Sequence, residues 1–214
     1  RDAGAQMVAL PEMFITGYNT QDLVMKPAFH RAAIAKIEEL AQDCADGPAL
    51  AVGGPAVEDD RLYNAYYILS GGRVTTRVLK HHVPTEPVFD EVRIYDAAPM
   101  GGPEAVNTVR IGSPICEDSG HEEVSETLAE TGAEFLLGPN GSPYYRNKME
   151  TRQNLMVARV IETGLPVIYR NLVGGQDDQV FDGGTFVLNP GGARALHSVT
   201  VSVGLLAALM IATS

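Results

Sequence analysis

Short apolar runs alternate with helical patterns along this chain, and the alternation decides its fold class. Apolar runs of about four to eight residues between glycine and proline signals are typical of buried strands. Runs whose apolar residues recur three or four positions apart are typical of amphipathic helices. The pattern therefore predicts an α/β protein in which sheets lie inside and helices lie outside.

The same signals give the element boundaries. Pro27 stands at the favoured first position of a helix that Gly47-Pro48 ends. Ser119 and Glu122 have the spacing of a capping box before a second helix. Ser70-Gly71-Gly72 marks a hairpin turn. The predicted strands cover 6–10, 49–54, 62–69, 73–79, 109–115, 134–137, 167–173 and 185–188, and a third helix covers 147–163.

Charge and cysteine content restrict the partners and the compartment. The formal net charge is −11, and an acidic surface repels phosphate backbones, so we expect no nucleic-acid partner. Two cysteines in 214 residues make no disulfide framework, which favours a reducing cytoplasm. The stretch from Ser198 to Ser214 is uncharged and largely apolar. Because a bilayer span needs about 20 apolar residues, we expect a buried terminal segment there and no membrane partner.

Three reactive side chains stand where predicted strands end. Glu12 follows the first strand, Lys80 ends the hairpin, and Cys116 follows the strand at 109–115. Strand carboxyl ends face the functional crevice in α/β folds, so a carboxylate, an ammonium and a thiol can meet there. Such a set can deprotonate the thiol, attack a carbonyl carbon and stabilise an oxyanion. Taken alone, Cys116 fits an inert buried thiol equally well, and the two charges fit solvated strand ends.

The sequence predicts no metal site. His81 and His82 are adjacent, so on a strand they point to opposite faces. The histidines form no H-E-x-x-H pattern and the two cysteines are far apart, which argues against zinc. Asp177-Asp178 and Asp182 lack the ligand spacing of a calcium loop.

Three motifs resemble those of the nitrilase superfamily of carbon–nitrogen hydrolases, in order and in spacing. They are Leu10-Pro11-Glu12-Met13-Phe14-Ile15-Thr16-Gly17-Tyr18, Lys80-His81-His82-Val83-Pro84 and Pro114-Ile115-Cys116-Glu117-Asp118. Within the superfamily, the chain is most similar to the glutaminase domains of glutamine-dependent NAD+ synthetases, over roughly residues 1–190. The further matching segments include 18–24, 88–91, 139–144 and 171–177.

The resemblance implies a four-layer α-β-β-α sandwich, whose first strand would precede Arg1, and a Glu-Lys-Cys triad. Glu12 would be the general base, Cys116 the nucleophile that forms a γ-glutamyl thioester, and Lys80 the oxyanion donor. The amide step would need no cofactor. ATP and Mg would serve a synthetase domain, absent from this chain, that uses the ammonia to amidate deamido-NAD+. A homo-oligomer is also implied.

The same resemblance assigns a substrate pocket. Tyr18, Glu117, Ser142 and Lys148 would line it, and the backbone N–H of Glu117 would be a second oxyanion donor. Glu86 stands where this branch usually has a tyrosine near the glutamine. An acid there could hold an ammonium, repel a carboxylate or point to solvent.

The domain limits and two alternatives remain open at this stage. The similarity ends near Ala193, so we predict a hydrolase domain at 1–192 and an apolar tail at 193–214. One alternative is a nitrilase-like amidase that acts on another small amide or a carbamoyl compound. The other is an inactive fragment that only binds a partner.

Overall fold

The computed structural model describes residues 2–85 and 89–197. Pro27 begins the first helix, as predicted, and Gly164 in the left-handed conformation ends the third. The helices are α1 Pro27–Asp43, α2 Glu122–Glu130 and α3 Lys148–Thr163. The strands are β1 Met7–Ala9, β2 Ala49–Glu58, β3 Arg61–Ser70, β4 Arg73–Leu79, β5 Glu104–Val106, β6 Val109–Gly112, β7 Phe135–Asn140, β8 Val167–Asn171, β9 Val173–Gln176, β10 Gln179–Asp182, β11 Phe186–Leu188 and β12 Arg194–His197.

Over the described ranges, the strands form two main sheets and one separate hairpin. The first sheet has four strands in the order β1-β2-β3-β4, with β1 parallel to β2 and the hairpins antiparallel. The second sheet has six strands in the order β12-β11-β8-β7-β6-β5, and β6, β7 and β8 run parallel. Strands β9 and β10 form the separate hairpin.

Helices cover the outer faces of both sheets. On the first sheet, Ile37 and Ala41 of α1 pack against Leu50 and Val52 of β2. On the second, the apolar faces of α2 and α3 share a core with β7 and β8, and Met156 is fully buried there. Full burial of one such large side chain contributes about 1.5–3 kcal/mol.

The inner faces of the two sheets pack on each other. Ala51 and Tyr66 of the first sheet share a buried cluster with Ile111, Phe135 and Leu137 of the second. The order of layers is therefore helix, sheet, sheet, helix, which confirms the predicted α-β-β-α sandwich. In the first sheet, β4 runs parallel to β1, because β1 is parallel to β2 and two antiparallel pairings lead from β2 to β4. The carboxyl ends of β1 and β4 therefore point toward the same end of the sheet.

Some predicted boundaries differ from the structure. The capping box of Ser119 and Glu122 is not formed, because the Ser119 hydroxyl donates to the Pro114 carbonyl and His121 is the N-cap of α2. The predicted strand at 109–115 ends at Gly112, where the chain leaves the sheet toward Cys116. The strand at 167–173 is interrupted at Leu172 between β8 and β9.

The segment predicted as a tail begins within the sheet. Its first residues form β12, which pairs antiparallel with β11. The rest of that segment, including the apolar stretch of 198–214, lies outside the described residues. None of the helices in 2–85 and 89–197 has the length and apolarity that crossing a bilayer requires.

Candidate active site

Glu12 is held by a tight turn over β2. The Gly53 N–H donates to the Pro11 carbonyl at 3.2 Å, and the Ile15 N–H donates to the Gly53 carbonyl at 3.1 Å. A Cβ atom at Gly53 would lie 2.2 Å from the backbone nitrogen of Met13, so only glycine allows this approach. The turn places the Glu12 side chain in the interior, where it is 1% exposed.

Lys80 reaches Glu12 from the end of β4. Its ammonium donates to Glu12 Oε1 at 2.8 Å and to Glu91 Oε2 at 2.6 Å, and all three side chains are buried. Burial lowers the pKa of Lys80, but Glu12 and Glu91 outweigh burial and raise it well above its usual value. Lys80 is therefore a permanent cation, which suits an oxyanion donor and excludes a role as base.

Asn64 and Glu91 complete the buried polar cluster. The Asn64 amide donates to Glu12 Oε1 at 2.8 Å and to Glu91 Oε1 at 3.0 Å. Tyr18 is buried beside this cluster, and burial together with the charges of Glu91 and Glu12 raises the pKa of Tyr18 well above its usual value. The sequence analysis did not identify Asn64 or Glu91 as site residues. The signals were present, because Asn64 interrupts an apolar strand and Glu91 ends the segment 88–91.

Cys116 lies in a strained turn that faces this cluster. Its φ is +48°, in the left-handed region that is costly for a residue with a side chain. It opens the short 3₁₀ helix Cys116–Gly120, so the next N–H, that of Glu117, lies in the first turn and has no helical carbonyl to reach.

The buried Asp118 carboxylate fixes the turn on both sides. It accepts the Ile115 N–H at 3.1 Å, just before Cys116, and the His82 N–H at 2.7 Å, two residues after Lys80. A weaker contact comes from the His81 N–H at 3.4 Å. Asp118 therefore joins the turn that carries Cys116 to the turn that carries Lys80.

The Cys116 side chain rests as a thiol. Burial raises its pKa well above its usual value, Glu12 raises it further, and Lys80 lowers it in part. The charge of Glu12 acts on the thiol from close by, so a base stands near enough to remove its proton when a substrate arrives. Glu12 Oε2 also accepts the Gly141 N–H at 2.7 Å, which fixes the second oxygen of the carboxylate.

Gly141 must approach Glu12 closely for that contact. A Cβ atom there would lie 2.6 Å from Tyr18 Cδ1 and 3.1 Å from Glu12 Oε2. Glycine at this position therefore lets the chain that follows β7 pack directly against Tyr18 and Glu12.

A cavity of about 150 Å³ opens beside the thiol. Glu117, Ser142 and Lys148, three of the predicted pocket residues, line it together with Cys116. Tyr18 lies elsewhere, buried and stacked on Phe89 at a centroid distance of 5.1 Å. The complete lining is Cys116, Glu117, Ser119, Gly120, Asn140, Ser142, Lys148, Thr151, Arg152, Leu155, Met156 and Tyr169. The prediction for Glu86 lies outside the described residues.

Arg152 is a further cavity residue that the sequence reasoning missed. Its guanidinium donates to Ser142 Oγ at 3.1 Å, to the Ser142 carbonyl at 2.7 Å and to the Pro143 carbonyl at 2.9 Å. Asp182 accepts a further donor at 2.8 Å. With most of its donors used, Arg152 orients Ser142 within the cavity. Its position one turn after Lys148 on α3 was the available signal.

The three predicted catalytic side chains thus meet in one place. Two come from the first sheet and the thiol comes from the second. Glu12 and Lys80 are paired at 2.8 Å, their charges act on the Cys116 thiol, and Cys116 itself lines the cavity. This arrangement can attack a carbonyl carbon, stabilise the resulting oxyanion and transfer the proton to a leaving group.

Comparison with known sequences agrees with this chemistry. A family model described as carbon-nitrogen hydrolase matches residues 1–207. The chain is 55% identical over 197 residues to the glutamine-dependent NAD(+) synthetase of Rhodobacter capsulatus, a match that covers 92% of this chain and 36% of that protein. The chain thus spans about a third of the length of the curated relatives it matches.

Solved structures share the architecture. The glutamine-dependent NAD+ synthetase of Acinetobacter baumannii, solved with adenosine diphosphate, superposes with a TM-score of 0.87 at 28% identity and covers 93% of this chain and 38% of its own. An amidase from Nesterenkonia sp. AN1 superposes with a TM-score of 0.80 at 22% identity over 93% of this chain and 78% of its own, which is a likeness of fold. Since the family model extends over nearly the whole sequence, the chain belongs to the carbon–nitrogen hydrolase family.

Proposed function

We propose that this chain hydrolyses the side-chain amide of glutamine to glutamate and ammonia. The observation that carries the proposal is a half-buried thiol at the wall of a cavity that also holds opposite charges, next to the buried ion pair of Glu12 and Lys80. Glu117 suits the α-ammonium of an amino acid, and Lys148 and Ser142 suit its α-carboxylate. The high identity to glutamine-dependent NAD(+) synthetases supports glutamine as that amino acid.

The first half of the reaction forms a thioester. Glu12 takes the thiol proton while Cys116 Sγ attacks the amide carbon, and the carbonyl oxygen becomes an oxyanion. Lys80 Nζ and the Glu117 N–H would stabilise that charge, and one such donor is typically worth about 3 kcal/mol in the transition state. Collapse of the intermediate breaks the carbon–nitrogen bond. Glu12 returns the proton to the nitrogen, and ammonia leaves.

The second half releases the acid. Water enters the site vacated by ammonia, and Glu12 takes one of its protons as the oxygen attacks the γ-glutamyl thioester. The same two donors would hold the second oxyanion. Breaking the carbon–sulfur bond frees glutamate, and the proton on Glu12 passes to the sulfur, which restores the resting thiol.

The fate of the ammonia belongs to the longer protein. We propose that residues 1–192 form the glutaminase unit and that ammonia passes to a synthetase domain or subunit, which amidates deamido-NAD+ with ATP and Mg. The coverage of only a third of the relatives supports this division of labour. β12 extends the sheet past the proposed boundary, so the first residues of the tail pack with the unit. We also propose that the protein forms a homo-oligomer and works in the cytoplasm.

Within the proposed function, Tyr18 and Glu86 have different roles. Because Tyr18 is buried beside Glu91 and does not line the cavity, its role would be to pack against the catalytic cluster rather than to contact the glutamine directly. Glu86 stands where the synthetase branch usually has a tyrosine, so an acid there could hold an ammonium, repel a carboxylate or point to solvent, and it bears on the choice between glutamine and another amide.

The test is covalent labelling with a diazo-ketone analogue of glutamine, read by intact and peptide mass spectrometry. We expect one label, on Cys116, that excess glutamine suppresses, while Cys44 stays unlabelled as the internal control. A label that short aliphatic amides suppress and glutamine does not would replace the proposal by the amidase alternative. Failure to label Cys116 in a sample that melts cooperatively would refute the thiol chemistry and favour the partner-binding alternative.

A further inference from the structure

We propose that His82, His121 and Glu123 bind a divalent transition-metal ion, with Zn²⁺ as the best match, on the rim beside the catalytic turn. One ligand atom from each residue lies within 4.8 Å of the others. The sequence predicted no metal site, because the adjacent His81 and His82 point to opposite faces of a strand and the histidines form no H-E-x-x-H pattern. The site is independent of the amide chemistry.

The distances fit tetrahedral coordination. His82 Nε2 lies 2.9 Å from Glu123 Oε1, and His121 Nδ1 lies 3.8 Å from the same oxygen. Bonds of about 2.0–2.1 Å to a tetrahedral Zn²⁺ separate neighbouring ligand atoms by about 3.3–3.4 Å. The two observed separations lie on either side of that value, so the distances suit one ion once rotation of the exposed imidazole side chains turns their lone pairs toward it.

The two imidazoles lie side by side before any ion binds. The rings of His82 and His121 stack at a centroid distance of 3.7 Å and an angle of 15°, so at least one ring must turn out of the stack for both in-plane lone pairs to meet one ion. His81 takes no part, since its Nδ1 contacts the Ala98 carbonyl. The backbone of His82 is fixed by its N–H bond to the buried Asp118. One ligand of the site is therefore anchored before any ion binds.

A second layer of contacts supports His121. If Nδ1 holds the ion, the opposite ring nitrogen, Nε2, lies 3.5 Å from Glu117 Oε1. A carboxylate behind a ligating imidazole is the usual support of zinc histidines, because it fixes the tautomer and strengthens the ligand. Glu117 also lines the catalytic cavity, so this contact connects the rim site to the substrate side of the turn.

The donor set selects the class of metal. Two imidazoles and one carboxylate suit Zn²⁺ and neighbouring first-row ions, whereas Mg²⁺ and Ca²⁺ prefer oxygen ligands. Three protein ligands leave one position for water or another small ligand. The four side chains are between 26% and 47% exposed, so the ion can enter directly from solvent.

The test is metal binding by the untagged full chain, with Co²⁺ and Zn²⁺ alone as probes. We expect Co²⁺ to give the visible absorption of a tetrahedral site without a thiolate charge-transfer band, and Zn²⁺ to displace it. His121→Ala and Glu123→Gln should each weaken binding at least about tenfold, and Glu117→Gln about tenfold through its contact with His121. His30→Gln, on α1, is the matched control and should bind as the parent does. Circular dichroism would show that each variant is folded.

Two results would overturn the inference. One is binding to the parent no tighter than to folded His121→Ala. The other is binding that His121→Ala retains and Cys116→Ser abolishes, because the ion would then sit on the catalytic thiol. Retention by Cys116→Ser together with loss in His121→Ala would establish the rim site even if glutaminase activity were never observed.

Discussion

Replacing Asp118 by asparagine tests whether one carboxylate positions the nucleophile against its cation. In the parent, one oxygen accepts the His82 N–H at 2.7 Å, and the other accepts the Ile115 N–H at 3.1 Å. Asparagine has a single acceptor oxygen, so in either orientation its amide nitrogen faces one of these donors. One of the two turns must then move or leave its N–H without a partner.

The size of the effect follows from burial. Asp118 is 2% exposed, and a buried donor left without a partner costs about 1–3 kcal/mol. The expected destabilisation is therefore about 1–3 kcal/mol. For a chain of this size, that corresponds to a melting temperature lower by roughly 2–12 °C.

The assay separates positioning from general loss of structure. Below the melting temperature, we expect kcat for glutamine to fall at least about tenfold while KM changes little, because Cys116 and Lys80 are misaligned and the cavity is intact. Labelling of Cys116 by the diazo-ketone should slow in parallel. Asp178→Asn, at an exposed carboxylate, is the control and should change neither quantity. Parent-like stability and kcat in Asp118→Asn would refute the reasoning.

Three other changes probe the cluster. Glu91→Gln removes one of two carboxylates from the buried ammonium, so we expect urea unfolding to show a loss of about 1.5–3 kcal/mol, and unchanged stability would contradict it. Gly141→Ala should displace the Glu12 carboxylate and lower kcat at least about tenfold. Gly101→Ala is the control, because its new methyl group meets nothing within 4 Å and should leave kcat unchanged. Equal kcat values in the two variants would argue against close packing between Gly141 and Glu12. Because the pKa of Cys116 is raised in the folded protein, the unfolded chain releases the thiol proton first as the pH rises. The thiol therefore contributes its full share to the free energy of unfolding below the ordinary thiol pKa of 9.0. Above that pH the contribution falls by about 1.4 kcal/mol per pH unit until the folded pKa is reached. Urea unfolding at about pH 8 and about pH 10 should show this decline in the parent and a smaller one in Cys116→Ser, and parallel profiles would count against the assignment.

Much of the fold could be predicted because local signals agree with the tertiary structure. Pro27 begins α1, and Ser70-Gly71-Gly72 forms the turn between β3 and β4, as their residue types require. The short strands β5, β10 and β12 have three or four residues each. They were missed because pairing with a neighbouring strand, rather than their own sequence, makes them extended.

The site was predictable where it depends on strand ends and unpredictable where it depends on loops. Glu12, Lys80 and Cys116 each follow a strand, so topology alone brings them together. Glu91 is carried by a turn whose N–H bonds to the Pro84 carbonyl, a contact with no periodic signature. His121 reaches the rim through the packing of the turn before α2, and no spacing rule links it to His82.

The division of the triad between two sheets has a consequence for how the chain acquires its activity during folding. Each sheet can satisfy its own backbone hydrogen bonds, but Glu12 and Lys80 meet Cys116 only after the sheets have docked face to face. The contact between His82 and Asp118 joins residues 36 positions apart, and such non-local contacts form only after the entropy of closing the loop has been lost. In refolding, secondary structure should therefore recover before glutamine turnover does. The recovery of turnover would report the rate at which the two sheets dock.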